Sequence, residues 1–352
     1  MKKLKYLTVL LTPAVVGYSL YADGYATFTA LIVLFGVLPI LELFTQGSTV
    51  NLSAAEEELA KNDRFYDWLL YALVPLQYGL LLYFLRDIAS SQLTTVEAVG
   101  KTLAMGLSCG VLGINAAHEL GHRSKKSEQR MSKLLLLSSL YLHFFIEHNR
   151  GHHKRVATPE DPASARYGET LYAFWLRSIV GSWLSAWQLE AERLRYKQLT
   201  PWHWKNELLQ MALRQLAFVS AIALLFGPHA LVHFMVAAAI GVLLLESVNY
   251  LEHYGLQRKR KGDGYERTLP IHSWNSNHPM GRLVLLELSR HSDHHYSASR
   301  KYPILRHFDE SPQLPTGYPG MILLALVPPL WFAVMHWRID HYRSSKEGAS
   351  LV

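Results

Sequence analysis

The chain has 352 residues, half of them hydrophobic, a formal net charge of +7 and a single cysteine. One thiol, Cys109, excludes an internal disulfide, a cysteine-rich zinc site and an iron–sulfur cluster held by this chain alone. Length and apolar content leave a large soluble domain or a multi-span membrane protein, and the distribution of the apolar residues decides between them.

In chain order, six apolar stretches approach or exceed the ~20 residues that a bilayer-spanning helix needs. They run over about 4–22, 26–44, 66–86, 95–117, 208–226 and 230–251. Charges within them (Lys5, Glu42, Asp67, Arg86, Glu97, Lys101, Arg214) lie mostly near the ends, and Glu246 stands alone. The first stretch follows MKKLK and has the look of a signal peptide. Its length, Pro13 and the lack of a small-x-small cleavage site favour a retained helix. A further apolar stretch, MILLALVPPLWFAVMHW (321–337), is interrupted by a proline pair and ends in His and Arg, which favours a helix lying at the interface over a seventh span.

Lysine and arginine fix the orientation. The N-terminus carries Lys2, Lys3 and Lys5, residues 122–207 hold 14 basic residues and the chain after Tyr254 holds 13, while the connections 23–25, 87–94 and 227–229 hold none. Six spans starting inside place the N-terminus, 45–65, 122–207 and 254–352 in the cytoplasm. The positive charge therefore reads as topology and not as nucleic-acid binding. With no internal repeat and no domain-sized linker, 1–352 reads as one all-α integral-membrane domain: six transmembrane helices with a cytoplasmic, histidine-rich cap formed by 118–207 and 252–340.

Eighteen histidines exceed packing needs, and half of them cluster. HELGH gives His118 and His122; EHNRGHH gives His148, His152 and His153; NYLEHYGL gives His253; and SRHSDHH gives His291, His294 and His295. Spacings of three and four put imidazoles on one helical face, here 118/122, 148/152, 291/294 and 291/295. All nine fall at or beyond the cytoplasmic ends of spans. Nine exceeds the four to six donors of one ion, so two metals sharing the set is the natural count, and a nitrogen-rich site with open positions suits iron better than zinc. HELGH alone also fits the H-E-x-x-H zinc-protease helix with Glu119 as base. That reading leaves three histidine clusters without a role. Glu119, Glu246, Asn249 and Asp293 are candidates to orient the imidazoles. His229 and His233 fall at the outer turn and read as interfacial, His143 as packing, and His203, His307, His336 and His341 as ordinary surface residues; His272 and His278, in HSWNSNH, read as a turn or a loop lining the site.

The four histidine segments resemble the boxes of the integral-membrane non-haem diiron alkane 1-monooxygenases, within the wider group of xylene monooxygenases and fatty-acid desaturases. HELGH, EHNRGHH and RHSDHH resemble that group's three boxes, and NYLEHYGL the additional box of alkane and xylene hydroxylases. ATPEDPASARYGE (157–169), HSWNSNH (272–278) and LPTGYPG (314–320) extend the resemblance over roughly 30–335. Ser289 stands where alkane hydroxylases usually carry Gln, and Tyr296 where Ala is common. The resemblance implies two iron ions on the nine histidines and O2-dependent terminal hydroxylation of medium-chain n-alkanes to primary alcohols. It further implies electrons from rubredoxin, itself reduced by an NAD(P)H-dependent rubredoxin reductase, and a place in a bacterial inner membrane, with both termini cytoplasmic. Relatives acting on aryl methyl groups or acyl chains are the alternative, and a non-enzymatic metal-binding membrane protein a further one. A lipid-dissolved substrate suggests a tunnel between spans, for which Leu34, Phe35, Leu38 and Leu41 recur at helical spacing. An acidic donor suggests docking on Arg123, Lys125, Lys126, Arg130, Lys133, Lys154 and Arg155.

Overall fold

The computed structural model describes residues 2–90 and 92–349. Helices make up almost all of its regular structure; one hairpin pairs Arg260–Lys261 with Gly264–Tyr265. Among the described residues four helices are long and apolar enough to cross a membrane: Gly24–Leu43, Arg64–Ser90, Thr95–Gly121 and Glu207–His253. The last has 47 residues and is two helices meeting at Gly227, whose φ of 83° and ψ of 169° break the run. Glycine takes that conformation without a Cβ penalty, and Pro228, lacking an N–H, opens the next helix at no cost. These two arms occupy the stretches expected over 208–226 and 230–251.

Two expectations change. The segment over 4–22 is helical but starts as a 3-10 helix, Lys2–Leu10, before continuing as Leu11–Tyr21. It is not among the four long apolar helices, yet it buries Tyr6, Val9, Val16 and Leu20 in the bundle. The stretch 321–337, expected as one interfacial helix, is a pair of helices, Tyr318–Ala325 and Pro328–Arg343, bent by 120°. Pro328 and Pro329 lack backbone donors and clash with a preceding turn, so a single helix cannot pass through them.

Small residues bring the central helices into backbone contact. Gly106 and Gly110 form a GxxxG pair facing Ile240 and Leu244, and Gly241 faces Cys109 and Gly110 in return. Where lipid offers no hydrophobic drive between helices, such close approach and interhelical hydrogen bonds take over. Gln77 contributes the latter, accepting from Ser108 at 2.6 Å and donating to Ser138 at 3.0 Å. Among the described residues three π-helical turns interrupt the ladder, at Val33–Val37, Cys109–Asn115 and His148–His152. Single π turns favour functional positions, and here two of them precede or contain a histidine box.

A Cβ at Gly241 would sit 2.6 Å from Cys109 Cβ and 2.9 Å from backbone atoms of Cys109 and Gly110. Gly241→Leu should therefore destabilise the detergent-solubilised protein by about 1–3 kcal/mol, read as a lower thermal midpoint by circular dichroism. Gly79→Ala, at a helical position with no atom within 4 Å of the new Cβ, should leave the midpoint unchanged or raise it.

Candidate metal centre

The elements that carry the histidines converge at one end of the bundle. His118 lies in the last turns of Thr95–Gly121, with His122 just beyond; His253 ends Glu207–His253; and the others come from short helices between and after these. All nine imidazoles meet there, in two groups. His118, His122, His148, His153 and His294 form one, and His152, His253, His291 and His295 the other, with donor atoms within 4.8 Å of one another in each.

Within the groups the Nε2 atoms point at common centres. In the five-membered group His118 and His294 stand 3.0 Å apart, His122 and His148 3.0 Å, His148 and His153 3.0 Å, and His153 and His294 3.1 Å. In the four-membered group His253 and His291 are 3.2 Å apart, as are His152 and His295. Two nitrogens each about 2.1 Å from one ion and at right angles around it would lie about 3 Å apart. The donor set therefore fits one metal ion per group. It fits in protonation as well: burial, helped by neighbouring imidazoles, pushes His148, His153, His291, His294 and His295 well below the ordinary histidine value, and only the neutral ring ligates.

The pairing differs from helical spacing at two places. His148 pairs with His153 across five residues, and His152 goes to the other group, because His148–His152 is a π turn bonded i to i+5. His294 and His295 are adjacent on one short helix, so their side chains diverge by about 100° and serve different groups. The pairs 118/122 and 291/295 stay together as i, i+4 spacing requires.

The acids nearest the imidazoles are not those singled out from the sequence. Glu119 accepts from Arg123 at 2.6 Å and from the Tyr302 amide at 3.2 Å. It is turned away from the histidines, which also removes the base that the protease reading of HELGH needs. Glu246 accepts from Tyr141 at 2.8 Å, Ser178 at 2.5 Å and Asn249 at 3.3 Å. Asp293 holds Arg300 and the Arg306 amide. None of these four hydrogen-bonds a clustered imidazole among the described residues. Two other acids do the touching. Asp161 meets His152 Nδ1 at 2.9 Å while Ser164 and the Ala163 amide hold its own oxygens. Glu252 Oε2 stands 3.1 Å from His291 Nε2, with Oε1 accepting from Tyr318 at 2.8 Å. Both lie in stretches marked for their resemblance, ATPEDPASARYGE and NYLEHYGL; Glu252 directly precedes His253, and that adjacency was the available signal. Burial lowers His152, but the Asp161 carboxylate beside it outweighs that and holds the ring above its ordinary value.

Of the basic residues expected to face a donor, Lys125, Lys126, Arg130 and Lys154 are exposed. Arg123 is not: it is 7% exposed and bonds Glu119 and Asp67. Arg155 is committed to Glu147 at 2.8 Å and to Ser185, and Lys133 reaches Glu207 at 3.3 Å. Burying a guanidinium in low dielectric is tolerable only when carboxylates pair it, as Glu119 and Asp67 pair Arg123 and Glu147 pairs Arg155. Gly151 has no room for a Cβ between Arg155 and Glu147, which fixes that glycine inside the second box.

A narrow apolar cavity lined by residues that include Leu34, Phe35, Leu38, Val111, Leu244, Val284 and Tyr318 is joined to the centre by the Tyr318 hydroxyl, which bonds Glu252 beside His291. Leu41 does not line it and is 46% exposed. The buried stripe runs Leu34, Leu38, Glu42 at intervals of four, so Glu42 and not Leu41 continues it. His272 is buried and within 3.3 Å of Glu266. His307 is buried rather than at the surface, with its Nδ1 against Asn277, and His336 stacks on Tyr167 at 4.0 Å.

A helical bundle with membrane-length apolar helices and a buried nine-histidine cluster is the architecture of a membrane metalloenzyme, and the fatty acid desaturase family matches residues 95–325. The chain is 41% identical over 322 residues to an alkane 1-monooxygenase of Acinetobacter baylyi, covering 91% of this chain and 79% of that one. It is 43% identical over 318 residues to alkane 1-monooxygenase 2 of Pseudomonas aeruginosa, covering 90% and 84%. The hydroxylase component of a xylene/toluene monooxygenase from Pseudomonas putida is 30% identical over 344 residues, covering 95% and 88%. The chain belongs to the alkane 1-monooxygenase branch of the fatty acid desaturase family. It is an integral membrane protein and a monooxygenase.

Removing the carboxylate that holds His152 should loosen one group and not the other. Asp161→Ala is expected to lower metal affinity about 10–100-fold at the four-histidine group, read by elemental analysis after dialysis as loss of about half the bound metal, with the helical signal unchanged.

Proposed function

We propose that this chain hydroxylates the terminal carbon of medium-chain n-alkanes, using O2 and two external electrons, with one iron held by His118, His122, His148, His153 and His294 and a second by His152, His253, His291 and His295. Iron so bound supplies O2 activation; the protein supplies position and exclusion of water. The observation that carries the reading is the juxtaposition of two histidine groups with an apolar cavity, in a chain similar to alkane 1-monooxygenases over nine-tenths of its length. Leu34, Phe35 and Leu38 would grip the chain of the substrate, each buried CH2 contributing about 0.8 kcal/mol. Tyr318, which lines the cavity and whose hydroxyl bonds Glu252, would separate the apolar chain from the polar centre.

The topology that suits this is six spans, counting the N-terminal helix and both arms of the kinked helix, with 118–207 and 252–340 as a cap in the cytoplasm of a bacterial inner membrane. Both termini then share the side of the donor, rubredoxin, and of its NAD(P)H-dependent reductase. Feeding octane, xylene and an acyl substrate to cells expressing the chain, with rubredoxin and its reductase, tests the substrate. 1-Octanol as principal product supports the proposal, while preferential oxidation of the xylene methyl group or desaturation of the acyl chain would replace it. His118→Ala and His152→Ala should each lower bound iron and octane hydroxylation together; purified protein holding zinc and no iron would overturn the assignment of the metal.

The exposed set Lys125, Lys126, Arg130 and Lys154 forms a basic rim suited to an acidic donor. Exposed charges act mainly on association rate and are screened over about 8–10 Å at physiological salt. Turnover at limiting rubredoxin should therefore fall as salt rises. Reversal of Lys126 and Arg130 to Glu should raise the donor concentration for half-maximal rate with little change at saturation; no response to either would place docking elsewhere.

A further inference from the structure

Two basic pockets lie away from the metal centre and are built alike. The first, of about 350 Å³, gathers Lys61, Arg64, Lys125 and Lys301 around Asp67, with Trp68 in its wall. The second, of about 360 Å³, gathers Lys133, Arg193, Lys205 and Arg214 around Glu207. Each opens at the N-terminal end of a membrane-length helix, Arg64–Ser90 or Glu207–His253, and the acid in each sits in that helix's first turn.

Both acids are already shared. Asp67 accepts from Arg123 at 3.1 Å and Lys301 at 3.0 Å; Glu207 accepts from Lys133 at 3.3 Å and Arg150 at 3.5 Å. In the first pocket no ion pair engages Arg64 or Lys125 among the described residues, and in the second the Lys205 ammonium lies over the Trp204 ring at 5.7 Å. Lys61 also reaches Glu58 at 3.7 Å and Arg193 is held by Glu190 at 2.7 Å, yet in each cavity the remaining cations, Arg64, Lys125 and Lys301 in the first and Lys133, Lys205 and Arg214 in the second, outnumber the one acid among them. An exposed tryptophan flanks each, Trp68 at 66% in the first and Trp204 at 71% under Lys205 in the second. Tryptophan beside lysine and arginine at the end of an apolar helix marks the depth of lipid headgroups, and basic pockets at that depth on the cytoplasmic side bind anionic ones.

We infer that each pocket seats the phosphate of an anionic phospholipid headgroup. A free phosphate shares the charge but not the depth, and the flanking tryptophans favour the lipid. The consequence reaches the histidines. Arg123 directly follows HELGH, and Arg150 lies within EHNRGHH. A phosphate that draws Lys301 and Lys133 to itself leaves Asp67 and Glu207 to those two arginines, so anionic lipid would steady the first two boxes. The inference rests on the cytoplasmic placement of the cap, but lipid retention is read without hydroxylation, so the two can fail separately.

The test uses the full chain reconstituted in nanodiscs of phosphatidylcholine with added phosphatidylglycerol, then released into detergent for native mass spectrometry. Wild type should retain phosphatidylglycerol in preference to phosphatidylcholine. The pairs K61E/R64E and K205E/R214E should each lose about half of it and the quadruple variant nearly all, as expected for headgroups held by local charge. Thermal midpoints should rise with phosphatidylglycerol in wild type and not in the quadruple variant, while near-equal midpoints in pure phosphatidylcholine show that the variants fold. Equal retention of both lipids, or retention unchanged in the variants, would overturn the inference. So would displacement of the lipid by millimolar inorganic phosphate, which would make the pockets ion sites, or reversals that alter only donor-limited turnover, which would make them a protein docking surface.

Discussion

Nine imidazoles aimed at two points inside a largely apolar bundle set the terms for everything around them. Buried donor atoms without partners are costly, and their mutual approach at 3.0–3.2 Å is tolerable only for neutral rings with something to share between them. Burial keeps most of the rings neutral, and carboxylates orient two of them: Asp161 meets His152 at Nδ1, although its charge favours the protonated ring there, and Glu252 meets His291.

Around this cluster runs a layer of arginine–carboxylate pairs. Arg123 ties Glu119 to Asp67, Arg150 ties Glu190 to Glu207, and Arg155 ties Glu147 to Ser185. Each of these arginines lies in a histidine box or within two residues of its end, and each reaches a helix that carries no histidine at that level. Replacing one partner would strand a charge in low dielectric, which is far more damaging than losing an exposed pair. Residues that a sequence presents as a basic surface thus divide in two, with Arg123 and Arg155 turned inward as braces and Lys125, Lys126, Arg130 and Lys154 left for solvent, lipid or partners.

The apolar and polar halves meet at Tyr318. Its ring belongs to the cavity wall with Leu34 and Phe35, and its hydroxyl belongs to Glu252 and so to His291. The LPTGYPG stretch therefore has a mechanical task, to bring one phenol to the boundary. The bend at Pro328 and Pro329 turns the chain back beside it.

What the sequence determined by itself was whatever depends on local composition and spacing. Apolar stretches of bilayer length marked the helices at Gly24–Leu43, Arg64–Ser90 and Thr95–Gly121, and the turn at Gly227 and Pro228 was readable because those residues do what others cannot. The clusters of histidine, and the resemblance they carry, were likewise local. Tertiary structure decided the rest. Which histidine joins which group depended on a π turn at His148–His152, and no spacing rule anticipates a turn whose hydrogen bonds run i to i+5. Asp161 and Glu252 gained their imidazole contacts only when distant segments met, whereas Glu119, sequence-adjacent to His118, was drawn off by Arg123. Leu41 fell outside the cavity and Arg123 inside the protein for the same reason: spacing along a helix states which residues share a face, but only packing against other helices states which face is buried.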